Sequence, residues 1–249
     1  MKKLLVLVSV ILLSVGCSPN NPRPKKEQQS AQDAFEFGKL YYEKGKFDSA
    51  LKKFTDAVDT EPNHIDANLG CGNSWRELGT SHLANKDRKK GDDDHHNALY
   101  YFQNVQRISP NNKDAYYGTA LLYFERATVK AAIFSVEERE KYVRLAIDNF
   151  NDVLKLDPSN SEIYKYLGLS HSALLSLKGK DTDGNAKKAI SYLTTYRKFA
   201  EGELNRWRNS APTSEAQKSA KEDMVYRWQS KVSEITMLIG ELLKAINEK

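Results

Sequence analysis

The stretch "DTEPNHIDA" (residues 59–67) returns as "RISPNNKDA" (107–115) and again as "KLDPSNSEI" (155–163). Its prolines, Pro62, Pro110 and Pro158, stand 48 residues apart. Proline lacks the N–H that a helix needs, so each one marks a helix end. A stop at a fixed interval of this size is the mark of an internal repeat, in which each unit has too little core alone and is stable only when stacked on its neighbours.

The composition fits a folded helical protein. The chain has 249 residues, 40% hydrophobic and 29% charged, with few helix breakers. The formal charge is +5, and it falls to +3 if Lys2 and Lys3 are removed with a leader peptide. Basic and acidic residues alternate along the chain, so the basic stripe of a nucleic-acid binder is missing and no nucleic-acid partner is expected.

Residues 1–17, "MKKLLVLVSVILLSVGC", have two lysines, an apolar run from Leu4 to Leu13 and small residues before a cysteine. That is a secretory leader pattern, too short for a spanning helix of about 20 residues. "LSVGC" resembles a bacterial lipobox, although Ser14 stands where that pattern usually has Leu. The resemblance implies cleavage before Cys17, acylation of Cys17 and a membrane anchor through that lipid. Residues 1–16 are then the signal peptide. In a Gram-negative host, Ser18 would direct the protein to the outer membrane, facing the periplasm. With Cys17 acylated, Cys71 has no thiol partner and no disulfide is expected. Residues 17–31, which hold three prolines and few apolar side chains, read as a flexible tether.

From Gln32 the sequence "QDAFEFGKLYYEKGKFDSALKKFTDAVDTEPN" resembles a tetratricopeptide repeat, a pair of antiparallel helices. Ala34, Phe37, Gly38, Tyr41, Ala50, Phe54, Ala57 and Pro62 fall on the eight positions that define it. Gly38 and Ala50 would let the helices approach, while Phe37, Tyr41 and Phe54 would fill the seam. The same frame places Gly72, Trp75, Ala98, Phe102 and Pro110 in a second unit, and Tyr116, Tyr123, Ala146, Phe150 and Pro158 in a third. In that third unit the glycine is displaced to Gly118 and Ala120 takes its place. A fourth unit has Tyr164, Leu167, Gly168, Ala189 and Leu193. There Glu201 replaces the closing proline, so its second helix is expected to run on.

The family's period is about 34 residues, which leaves 14 extra in each 48-residue unit. Fourteen residues make about four helical turns, so two added turns per helix would lengthen a hairpin without rotating its core. In the third unit "TVKAAIF" should prolong the first helix, and "SVEE" (135–138) is a capping box that opens the next. In the second unit "NKDRKKGDDDHH" (85–96) reads instead as a charged surface loop.

The expected fold is therefore all-α: a right-handed α-solenoid of about four helical hairpins over 32–212, elongated in repeats two to four, and a C-terminal capping helix over 213–249. In that last helix Val225, Trp228, Val232, Ile235, Ile239, Leu242 and Ile246 alternate three and four apart. Such a stripe serves a cap packed on the last hairpin or a homodimer seam. Leu238 and Leu243 widen it and favour the cap.

Candidate catalytic and metal-binding residues do not assemble. "DDDHH" (92–96) reads as an acidic helix start capped by Asp94, and adjacent His95 and His96 point to different faces. "DTDGN" (181–185) lacks the glycine and glutamate spacing of a calcium loop and reads as a turn. His171 reads as a packed core residue. No nucleophile, zinc or phosphate-binding motif is present, so no enzyme activity, cofactor or metal is expected.

The resemblance also implies a binding groove lined by the first helix of each hairpin. Carried across, its positions are Phe35, Lys39 and Tyr42; Leu69, Asn73 and Arg76; Tyr117, Leu121 and Phe124; and Lys165 and Leu169. Aromatic, Arg and Asn side chains suit an extended peptide or a helix. The expected function is a non-enzymatic adaptor that binds another envelope protein and assists assembly of a pilus, secretin or secretion complex. The alternatives are a glycan- or peptidoglycan-binding lipoprotein and a non-catalytic subunit of an envelope enzyme complex.

Overall fold

The computed structural model describes residues 25–129, 133–179 and 184–247. The leader, Cys17 and the tether as far as residue 24 lie outside the described residues, as do 130–132, 180–183 and 248–249. Among the described residues there are nine helices and no strand. They form four antiparallel pairs: α1 (Lys25–Glu43) with α2 (Phe47–Thr60), α3 (Ile65–Ala84) with α4 (Arg88–Ile108), α5 (Lys113–Thr128) with α6 (Val136–Leu156), and α7 (Ser161–Lys178) with α8 (Asn185–Arg208). Each pair stacks on the next, and α9 (Glu215–Asn247) packs on α8. The architecture is an α-solenoid of helical hairpins.

The repeated stretch ends one hairpin and begins the next. Two residues after each proline, a side chain caps the following helix: His64 accepts from the Ala67 N–H, Asn112 from Ala115 and Asn160 from Glu162. Six residues after each proline, a side chain donates to that proline's carbonyl: Asn68 Nδ2 to Pro62 at 3.0 Å, Tyr116 Oη to Pro110 at 3.1 Å, and Tyr164 Oη to Pro158 at 3.0 Å. The turn is thus tied at both ends by residues held in the 48-residue frame.

The extra length goes into the helices. From Gln32, the start of the repeat frame, α1 has twelve residues, whereas α3 has 20; α2 has 14 and α4 has 21. Both members of the second hairpin have therefore grown by about two turns. This corrects the loop expected over 85–96. Only a tight turn separates α3 from α4, with Lys86 at φ +65°, and Asp87 accepts from the Lys90 N–H as the helix cap. Asp94 is not a cap; it is buried against His82 at 2.6 Å. In the third hairpin α5 closes at Thr128 with Val129 as its C-cap, so it is not prolonged as far as Phe134. The Ser135–Glu138 capping box opens α6 as expected.

Three further expectations change. Residues 25–31, read as tether, belong to α1, because "KKEQQSA" contains good helix formers and follows Pro24 directly. Phe37 does not fill the seam. It is 57% exposed because its face of α1 is where a preceding hairpin would pack, and α2 lies on the other side.

Gly118 is not a displaced copy of the family glycine but serves a second contact. A Cβ at Gly38 or Gly70 would come within 2.7 Å of the Phe54 ring, and one at Gly72 or Gly118 within 2.6 Å of Phe102. Each phenylalanine is thus seated between a glycine of its own hairpin and a glycine of the next. In the third interface Tyr166 occupies the position equivalent to Gly118, and its ring stacks on Phe150 at 5.2 Å.

Candidate functional site: the face of the first helices

The first helices of the hairpins, α1, α3, α5 and α7, supply the expected groove residues, and the structure separates them into three groups. Phe35, Lys39, Tyr42, Leu69 and Asn73 come together around a cavity of about 260 Å³ between α1 and α3, floored by Phe54 and Gly70 and rimmed by Glu43 and Asp66. Close approach at Gly70 admits the Phe54 ring to that floor. Lys39 is exposed at the mouth, with its ammonium 5.6 Å above the Phe35 ring. An apolar floor with a mixed-charge rim suits a side chain carried on a polar backbone.

Tyr117, Leu121 and Phe124 form the second group, and they are half-buried. They pack with Phe150 and Tyr166, Tyr117 lying 6.2 Å from Phe150 and Phe124 5.4 Å from Tyr166. These aromatics knit α5 to α6 and α7, so much of their surface is spent on the fold. Burial also raises the Tyr117 hydroxyl well above the usual tyrosine range. In the third group, Lys165 pairs with Glu162 and lies over Tyr166 at 4.8 Å, and Leu169 is half-buried one turn on.

Arg76 is a correction. It is 6% exposed and donates to Glu77 and Glu125, so it holds hairpins together instead of facing a ligand. Tyr42 Oη donates to Glu77 at 3.3 Å, which ties the cavity wall to the same group. From there polar contacts cross the solenoid. Thr80 Oγ1 donates to Glu125 at 2.8 Å and lies 3.2 Å from His95 Nε2. Arg126 donates to His95 Nδ1 at 3.2 Å, to Asp92 at 2.6 Å and to Tyr142 at 2.8 Å. Because Nδ1 accepts from a guanidinium, the His95 proton sits on Nε2, which faces the Arg76 carbonyl at 3.3 Å. The Arg126 guanidinium lies over both Phe134 at 4.9 Å and Tyr142 at 4.5 Å, two rings that meet edge to face at 5.3 Å.

Sequence reasoning missed this network, although a signal was present: His95, Glu125 and Arg126 occupy helix positions that face neighbouring helices, where apolar residues are the rule. His96, by contrast, is exposed, so the two histidines do point to different faces. His171, expected in the core, is buried, stacks on Tyr192 at 5.7 Å and meets Asn185 Oδ1 at 2.9 Å.

Burial, reinforced by Arg126, pushes the His95 imidazole down to about 3 from 6.5. The folded state therefore holds it neutral while the unfolded chain takes up a proton below pH 6.5, so stability falls as pH drops from about 6.5 toward 3. His171, lowered mainly by burial, acts in the same direction, whereas Glu125, raised mainly by burial, acts in the opposite one. Urea unfolding at pH 7 and pH 5 should show a loss at the lower pH that shrinks in His95→Gln. An equal loss in that variant would assign the effect to other groups.

Comparison with known proteins finds the tetratricopeptide repeat family at residues 35–87. The Photosystem I assembly protein Ycf3 of Acaryochloris marina is 25% identical over 143 residues, covering 56% of this chain and 80% of that protein. Among solved structures, the MamA protein has a TM-score of 0.49 at 16% identity, covering 87% of this chain and 91% of that one. A thermophilic TPR protein of Thermus thermophilus has a TM-score of 0.48 at 17% identity, covering 86% and 98%. The family match falls on the helices that build the cavity, and together with the stacked hairpins it supports a tetratricopeptide-repeat protein.

Proposed function

We propose that this chain is a lipid-anchored adaptor of the cell envelope that holds another envelope protein on the face of its first helices and helps assemble a complex. The observation that carries the binding role is the cavity in which Phe35, Lys39, Tyr42, Leu69 and Asn73 converge on an apolar floor. The anchoring role rests on the leader and on the lipobox resemblance at Cys17. The similarity to a protein named for assembling a complex supports an assembly role in kind. The partner is an extended segment or a helix that places one apolar side chain over Phe54 and Leu69.

The test is capture from detergent-solubilised envelope by the full chain. Lys39→Glu, at an exposed position, and Phe35→Ala should each reduce capture by about tenfold or more while the far-ultraviolet helical signal is retained. Undiminished capture by both variants would remove this cavity from the binding role. Metabolic labelling with a fatty-acid analogue should mark the wild type and not Cys17→Ala, and an unlabelled wild type would sink the anchor.

A further inference from the structure

The α9 stripe expected to serve as a cap or as a dimer seam is used within the chain. Ile235, Ile239 and Leu242 are buried against Ala189, Leu193 and Tyr196 of α8. That leaves the opposite side of α9 without a neighbouring helix among the described residues. At 100° per residue, Tyr226, Ser230, Ser233, Met237 and Lys244 fall on one outward line. All five are exposed, Tyr226 by 74% and Met237 by 64%, and no side chain among the described residues crowds Gly240 beside them.

This face is self-complementary. Tyr226 and Met237 lie symmetrically about the midpoint between Lys231 and Val232, and so do Ser230 and Ser233. In an antiparallel pair related by a two-fold axis at that midpoint, each Tyr226 comes level with Met237 of the second copy, an aromatic–thioether contact. The two small serines lie level at the centre, where bulk would hold the helices apart.

The charges match as well. In an antiparallel two-fold pair the same flank of each helix meets itself. Arg227 and Glu234 share one flank, so each Arg227 approaches Glu234 of the second copy on both sides of the axis. Arg227 is already oriented by Asp223 at 2.8 Å. Lys244 of the second copy comes beside Glu222 and Asp223. Like charges also approach: Asp223 meets Glu241 between Arg227 and Lys244, and Lys218, paired with Glu215 at 2.6 Å, comes near Lys244.

We infer that the outward face of α9 is a homodimer interface between antiparallel α9 helices. It is distinct from the face of the first helices, so it leaves the adaptor cavity open in each copy. The alternative occupant of this face is the exposed Phe37 and Leu40 edge of α1, at the other end of a second copy, which would give open-ended chains instead of a closed dimer.

The experiment is sedimentation equilibrium of the full chain carrying Cys17→Ser, with Ser230→Arg, Arg227→Glu and Phe37→Asp variants. The expected result is a concentration-dependent dimer that Ser230→Arg abolishes, that Arg227→Glu weakens by about tenfold, and that Phe37→Asp leaves intact. Arg227→Glu combined with Glu234→Arg should restore it. Ser233→Cys, beside the axis, should give a disulfide-linked dimer under mild oxidation. A strictly monomeric parent, a dimer indifferent to Ser230→Arg, or assembly lost in Phe37→Asp would each overturn the proposal.

Discussion

Arg76→Ala should lower the free energy of unfolding by about 3–5 kcal/mol, the range for breaking a buried ion pair by removing one partner. Arg76 is nearly sealed, and its carboxylate partner Glu125 has a side chain only 24% exposed. With the guanidinium gone, Glu125 keeps the hydrogen bond from Thr80 but must carry its charge in a site whose burial already raises its pKa. The energy is lost through the orphaned carboxylate more than through the missing contact. Arg76→Met paired with Glu125→Leu, which removes both charges and keeps the volume, should therefore recover most of the loss. Denaturant titration of the three variants measures this, and a double variant as unstable as the single one would show that the network supplies specific stability that packing cannot replace.

That network also marks the limit of what the sequence discloses. The 48-residue interval of Pro62, Pro110 and Pro158, with Gly38, Phe54, Phe102 and Phe150 in register, was legible because helix stops and close packing restrict residue choice at single positions. The boundaries drawn from charge were not. "NKDRKKGDDDHH" looks like a loop because it is polar, but polarity does not prevent a helix when Asp87 caps it and its buried side, Gly91, Asp94 and His95, finds partners on α3.

The groove was legible in part. Phe35, Lys39, Tyr42, Leu69 and Asn73 assemble because α1 and α3 adjoin. Arg76 belongs to the same helical frame and is withdrawn by a carboxylate 49 residues away, a pairing that no local pattern encodes. Phe37 was misread for a related reason. Its position is buried in the inner hairpins, where Cys71, Thr119 and Leu167 occupy it, and exposed only because the first hairpin has no predecessor among the described residues.

Phe102→Ala should destabilise the chain by about 3–5 kcal/mol, at the level of the Arg76 variant but for a different reason. The ring is fully buried and lies against Gly72 on its own hairpin and Gly118 on the next. Removing it leaves a cavity in the cluster of Leu69, Val105 and Leu122, flanked by two glycines that have no side chain to lean in, and the lost contacts fall on both sides of one hairpin interface.

Gly118→Ala tests the same contact from the other wall. In the wild type its Cβ would stand 2.5 Å from Phe102 Cε1, so overpacking should cost about 1–3 kcal/mol despite the better helix propensity of alanine. In the Phe102→Ala background the obstruction is gone. There the same change should stabilise, by filling part of the cavity and by up to about 1 kcal/mol of helix propensity. The sign of the Gly118 effect therefore depends on what occupies position 102, and a thermodynamic cycle over the four variants isolates the coupling between successive hairpins. Additive effects would mean that the glycine and the ring do not meet, and the account of how these hairpins stack would fail at its central contact.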